Sequence, residues 1–284
     1  MSDSIRVGLI GFGYASKTFH APLIAGTPGM ALAAVSSSDA TKVHADWPGV
    51  PVVSEPKHLF NDPNIDLIVI PTPNDTHFPL AKAALEAGKH VVVDKPFTVT
   101  LSQARELDAL AKSLGRLLSV FHNRRWDSDF LTVKALLSEG TLGEITFFES
   151  HFDRFRPQVR NRWREQAGPG SGIWYDLAPH LLDQAVNLFG LPVSMTVDLA
   201  QLRPGAQTTD YFHAVLSYPQ RRIVLHGTMV AAAESARYIL HGTRGSYVKF
   251  GLDPQEERLK NGERLPQEDW GYDMRDGVVT KVEG

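Results

Sequence analysis

Five short apolar runs separated by helical patterns constrain this chain more than any other feature. They are Ile5 to Ile10, Leu32 to Val35, Leu67 to Ile70, His90 to Val93 and Leu117 to Phe121. A run this short and apolar on both faces suits a strand covered by helices on either side, the condition of a parallel sheet. Helical patterns fill three of the four intervals. One runs from about Ala15 to Ala25, one starts at the capping candidates Asn74 to Thr76 and ends near Gly88, and one starts at the capping box Thr100-Leu-Ser-Gln103 and ends near Gly115. Strand and helix in alternation over residues 5–121 predict an α/β class with a doubly wound parallel sheet.

The first run leads directly into Gly11-Phe12-Gly13-Tyr14-Ala15-Ser16. Strand, glycine turn and helix form the context in which a Gly-x-Gly binds a dinucleotide. The first glycine makes the tight turn, and the second lets the backbone approach a pyrophosphate at the helix N-terminus. Ser16 fills the third glycine's place with another small residue. After the second run, an NAD enzyme usually offers a carboxylate to the adenosine ribose. Here stand Ser36-Ser37-Ser38, with Asp39 slightly late and Lys42 nearby. A carboxylate repels a 2′-phosphate, whereas hydroxyls and a lysine bind one, so NADP(H) is favoured. Asp39 reaching a ribose keeps NAD(H) as the alternative. Residues 1–122 are expected to form this Rossmann NAD(P)-binding domain.

Open α/β sheets place ligands beyond the carboxyl ends of their strands. Pro71-Thr72-Pro73-Asn74 with His77 follows one strand, and Asp94-Lys95-Pro96 follows another. A lysine there is held on a rigid element while its ammonium reaches into a crevice.

The character changes after His122-Asn123-Arg124-Arg125. One helix is expected from about Asp127 to Ser138, followed by strand-like runs at 145–153, 193–202, 210–218, 221–230, 236–241 and 246–250. Residues 123–284 therefore read as a second, α+β domain with a mainly antiparallel open sheet. A helical pattern near Tyr175 to Phe189 interrupts it. Asp176 and His180 are four apart there and share a helix face, although Pro179 is expected to distort the first turn or fix its start.

Net charge is −3, with 29 basic and 32 acidic residues mixed, so no basic field exists to hold nucleic acid or an anionic membrane. No apolar run approaches transmembrane length and no signal pattern opens the chain. The chain has no cysteine, which excludes disulfides, thiol nucleophiles and thiolate metal sites and fits a cytoplasmic protein. His151, His213, His226 and His241 alternate with apolar residues and read as satisfied sheet residues. No metal is expected.

Together, Gly11-x-Gly13, Thr72-Pro73-Asn74 with His77, Ala87-Gly88-Lys89-His90-Val91 running into Asp94-Lys95-Pro96, Asn123-Arg124-Arg125, Trp163-Arg164 and Asp176-x-x-x-His180 resemble the glucose–fructose oxidoreductase and inositol dehydrogenase family, Gfo/Idh/MocA. The stretch Gly11 to Pro22 and Trp126 are similar to a subgroup that includes NADP-dependent scyllo-inositol dehydrogenases. Two departures stand out. Asp94 replaces the usual glutamate before the lysine, and the family usually continues for several dozen residues past this chain's Thr280-Lys-Val-Glu-Gly284. A shortened or incompletely represented chain is expected on that ground.

The resemblance implies reversible oxidation of a secondary alcohol on a cyclitol, sugar or polyol. Lys95 is carried over as the catalytic lysine. His180, able to titrate near neutrality, is assigned acid–base work, and Asp176 the orientation of the imidazole or a substrate hydroxyl. Gly11, Phe12, Gly13, Tyr14, Ala15, Ser36, Ser37, Ser38, Lys42, Pro71, Thr72, Pro73, Asn74, His77, Asp94, Lys95, Pro96, Asn123, Trp163 and Arg164 are implied or read as cofactor contacts. Arg124, Arg125 and Asp153 are further candidates. Two alternatives keep the fold: a non-catalytic NAD(P)-sensing regulator or scaffold, and a carbonyl reductase of the dihydrodiol or biliverdin type. A homo-oligomer, dimer or tetramer, is expected through the second domain's sheet.

Overall fold

The structure is a computed structural model that describes residues 4–282, leaving the opening Met-Ser-Asp and the last two residues outside. The described residues divide into two compact units, residues 4–121 with 255–270, and residues 122–254 with 271–282.

The first unit contains β1 (Ile5–Ile10), α1 (Ala21–Gly26), β2 (Met30–Ser36), α2 (Ala40–Asp46), β3 (Val52–Val53), α3 (Pro56–Asn61), β4 (Leu67–Ile70), α4 (His77–Glu86), β5 (His90–Asp94), α5 (Leu101–Ser113) and β6 (Leu118–Phe121). All six strands are parallel, in the order β3-β2-β1-β4-β5-β6. That is the Rossmann order, and it reverses direction between β1 and β4. Alternate residues face opposite layers. Ile10, Ile68, Ile70, Val91 and Val93 pack under α4 and α5, while Val7, Leu9, Val35 and Val69 pack under α1 and α2. The capping box forms as read: the Thr100 side chain accepts from the Gln103 N–H, and the Gln103 side chain reaches back. Before α1, Ser16–His20 forms a widened π turn in which the Ala21 N–H reaches the Ser16 carbonyl. Pro22, one residue later, has no N–H to continue an ordinary ladder.

The second unit contains α6 (Ser128–Ser138), β7 (Ile145–His151), α7 (Ile173–Phe189), β8 (Ser194–Ala200), β9 (Tyr211–Ser217), β10 (Arg222–Thr228), β11 (Tyr238–Gly242) and β12 (Gly245–Lys249). After β12, α8 (Gln255–Lys260) belongs to the first unit, and β13 (Val278–Lys281) pairs with β12. The sheet order is β13-β12-β11-β7-β10-β9-β8. Its β7–β10 pair is parallel and the other pairs are antiparallel. One face buries Phe148, Phe212, Leu225 and Tyr238 against Val133 of α6 and Leu177 and Leu181 of α7. The other face presents Glu149, His151, Tyr211, His213 and His226, which are half-buried. α7 begins before Tyr175 and runs through Pro179, so the proline interrupts one ladder hydrogen bond without setting the helix start.

A buried polar network ties this unit together. Arg237 bonds Asp129 at 3.4 Å and Gln184 at 3.1 Å, and Gln184 bonds the Arg124 carbonyl at 2.8 Å. Arg124 in turn meets Asp127 at 3.0 Å. Burial raises the Asp127 carboxyl to about 6; Arg124 pulls it down, while Asp129 and Asp253 add to the rise. The ordinary unfolded value is about 4, so the native state holds this proton more tightly. Its contribution is complete below about pH 4 and is lost as pH rises through about 6. Stability of the wild type should therefore fall, relative to Asp127→Asn, by roughly 2–3 kcal/mol between those limits. Denaturant titrations of both proteins across the range check this.

Candidate active site

The sheet reversal puts two turns side by side at the carboxyl edge of the first unit. Gly11 ends β1 with φ +78° and gives its N–H to the Ser36 carbonyl at 2.7 Å. A Cβ on Gly11 would lie 3.7 Å from Thr72 Cγ2, so the fingerprint turn adjoins the turn after β4. The Ser16 hydroxyl donates to the Gly11 carbonyl at 2.9 Å and closes the turn from the helix side. A Cβ on Gly13 would meet nothing within 4 Å. Its backbone is open to a ligand's approach, which fits the pyrophosphate of a dinucleotide. Phe12 contributes backbone there, because its side chain is buried in the core. Tyr14 donates to Glu256 of α8 at 2.8 Å, and burial together with that carboxylate pushes its phenol up to about 12.

The end of β2 corrects part of the sequence reading. Ser36 is buried at the strand end and its hydroxyl is not offered to a ligand. Ser37 is half-buried and accepts from the Asp39 N–H at 3.1 Å, while Ser38 and Lys42 are exposed. Asp39 caps α2, accepting from the Lys42 N–H at 3.1 Å.

At β4, the Thr72 and Thr76 hydroxyls meet at 2.6 Å and Asn74 is buried. His77 is also buried. Its Nδ1 faces the Pro96 carbonyl and its Nε2 the Thr72 carbonyl, each at 2.9 Å. With both ring nitrogens engaged by backbone, His77 does not line a ribose as expected. It joins the loops that follow β4 and β5. At β5, Asp94 Oδ1 accepts from the Lys95 N–H at 2.7 Å, and Oδ2 lies 3.3 Å from His20 Nε2. Burial raises the Asp94 carboxyl, but His20 and Lys95 outweigh it and hold it below its usual value. The Lys95–Pro96 bond is cis. His20 was not read as a site residue, although it lies in the stretch from Gly11 to Pro22 on which the subgroup resemblance rests.

In the second unit, Asp176 lies on the first turns of α7, 3.4 Å from Arg154 and 3.5 Å from Arg164. The Arg164 guanidinium also covers the Trp163 ring, 4.5 Å from its centroid. Glu165 anchors this segment: it is buried with Arg203 at 3.0 Å and bonds Arg162 at 2.7 Å. Burial, with Arg154, Arg160 and Arg162 close by, pushes Arg156 below its usual value. Arg154, Arg156, Arg160 and Arg162 join this cluster, marked in the sequence only by a run of alternating arginines. His180 is buried one turn beyond Asp176, its ring stacked on Phe152 at 6.4 Å. Asn123 opens a short turn in which Arg125 pairs with Asp183 through two bonds of 2.7 and 2.6 Å.

The fold and its strand-end turns define a dinucleotide-binding α/β protein. The chain belongs to the Gfo/Idh/MocA oxidoreductase family: residues 5–122 match its NAD-binding Rossmann fold and residues 134–283 its C-terminal alpha/beta domain. It is 89% identical over 284 residues to the Escherichia coli oxidoreductase YdgJ, covering 100% of this chain and 82% of that one. It is 39% identical over 284 residues to the Bacillus subtilis scyllo-inositol 2-dehydrogenase (NADP(+)) IolW, covering 99% of this chain and 79% of that one. Among solved structures, YPO2259 of Yersinia pestis superposes with a TM-score of 0.95 at 73% identity, covering 100% of this chain and 80% of that one. Among the described residues, no helix is long and apolar enough to cross a membrane.

Because Gly13 has open space around it, Gly13→Ala should leave thermal stability unchanged within about 0.5 kcal/mol while weakening dinucleotide binding at least about tenfold. Parallel thermal melts and nucleotide calorimetry check both halves.

Proposed function

We propose that this protein oxidises a secondary alcohol of a cyclitol, or of a related sugar or polyol, reversibly and with NADP(H) preferred. The observation that carries the reading is Lys95 on the β5 loop, whose Asp94 is fixed by His20 and whose Pro96 carbonyl is tied through His77 to the Thr72 turn. The name of IolW supports the substrate class and the cofactor.

The backbone at Gly11 and Gly13, the N-terminus of the following helix, and the Thr72-Pro73-Asn74 turn would hold the dinucleotide. Ser37, Ser38 and Lys42 would meet a 2′-phosphate. Bound nicotinamide supplies the hydride acceptor or donor. The chain's own residues handle the proton and the developing charge on oxygen. Lys95 donates a hydrogen bond to the alcohol oxygen and favours its alkoxide character. His180 takes the hydroxyl proton at a ring nitrogen in oxidation and returns it in reduction. Asp176, with Arg154 and Arg164 at its oxygens, positions a neighbouring hydroxyl.

Absorbance of reduced nicotinamide on mixing the protein with NADP or NAD and a panel of inositols, aldoses and polyols tests the reading. Lys95→Ala should lower kcat by at least about 10²-fold with nucleotide affinity retained. Lys42→Glu should lower kcat/KM for NADP about tenfold more than for NAD. Turnover undiminished in Lys95→Ala contradicts the mechanism.

A further inference from the structure

The second sheet's open face brings together residues that the sequence reading took for ordinary sheet histidines in a metal-free protein. β7 and β10 run parallel with His151 opposite His226, and β9 places His213 opposite His226 from the other side. Beyond β7 the chain continues along β10: the Phe152 N–H bonds the His226 carbonyl and the Arg154 N–H bonds the Thr228 carbonyl, each at 2.9 Å. This backbone pairing carries Asp153 to the two imidazoles. Its Oδ2 lies 3.1 Å from His151 Nδ1 and its Oδ1 3.7 Å from His226 Nε2. One donor atom from each of His151, Asp153 and His226 lies within 4.8 Å of the others.

We propose that His151, Asp153 and His226 form a binding site for one divalent transition-metal ion of the zinc or cobalt class. Two imidazoles and one carboxylate, with a further position for water, are a ligand set such ions accept, while magnesium and calcium prefer oxygen donors alone. The surroundings fit. His151 Nε2 faces Glu149 Oε1 at 2.8 Å, the outer carboxylate that commonly fixes the tautomer of a metal-bound histidine. The second oxygen contact of Asp153, from the Thr228 N–H at 3.1 Å, holds the carboxylate in place. A cavity of about 420 Å³ is lined by His151 and Asp153 and gives the ion a route of entry. Binding replaces the proton on His151 Nδ1, which passes to solvent, while Nε2–H stays on Glu149.

The site also reaches toward the candidate active site within the same unit. Asp153 immediately precedes Arg154, which contacts Asp176. An ion on Asp153 braces the loop that presents that guanidinium.

The test is calorimetric titration of the chelator-treated, tag-free full chain with Zn²⁺, and visible absorption with Co²⁺. One equivalent per chain should bind, with Co²⁺ giving ligand-field bands. His226→Asn and Asp153→Asn should each weaken binding at least about tenfold, and Glu149→Gln roughly tenfold through the His151 tautomer. Melting temperatures measured without metal show whether each variant is folded, and a variant that fails is replaced by His226→Gln. Absence of stoichiometric binding up to millimolar Zn²⁺ overturns the proposal. So does binding that folded His226 and Asp153 variants leave unchanged.

Discussion

The ligand edge of the first unit depends on one buried imidazole. His77 stands at the start of α4 with its two ring nitrogens each 2.9 Å from a carbonyl, those of Thr72 and Pro96; the ring N–H donates to one of them, and the side chain sits between the loops after β4 and β5. A net hydrogen bond contributes about 0.5–1.5 kcal/mol, but a buried carbonyl left unmatched costs roughly 1–3 kcal/mol. The asymmetry makes this a positional constraint more than a reserve of stability. The Gly11 turn lies against Thr72 and Lys95 lies one residue before Pro96, so a change at His77 reaches the dinucleotide turn and the lysine loop alike. His20 adds an independent hold on Asp94 from the fingerprint helix.

The second unit meets a different problem, a sheet with helices on one face. α6 and α7 bury the apolar side, and a buried set of charges and amides pins α7 to β7 and β11 through Gln184 and Arg237. The opposite face carries polar and aromatic residues at alternate positions, including the histidines on β7, β9 and β10. The helix-covered face holds Asp176 and His180, and the open one gathers His151, Asp153 and His226.

Local chemistry was legible and long-range register was not. Thr100 and Gln103 announce a capping box because every partner lies within four residues. Leu67 to Ile70 is apolar throughout, and it forms a strand with those bounds. Gly11, Gly13 and Lys95 could be singled out because strand, turn and strand end are local patterns. The two-residue strand β3 and the short helices α2 and α3 were passed over, being too brief to show a period. Pro179 does not fix the start of α7, because a proline can sit inside a helix when one ladder bond is forgone. The role of His77 depends on Pro96, nineteen residues away, and the link from Asp153 to His226 depends on the parallel pairing of β7 with β10. Neither has a local signature. The return of residues 255–270 to the first unit is likewise fixed by packing.

Transfer of label from the substrate carbon tests the central claim most directly. The protein would be incubated with NADP and a cyclitol bearing deuterium at its carbinol positions, and the nicotinamide examined by NMR. The account predicts deuterium at C4 of the reduced ring, on one face, in amounts matching the ketone formed. Nucleotide that binds tightly yet never acquires deuterium, from any cyclitol, sugar or polyol offered, would contradict it.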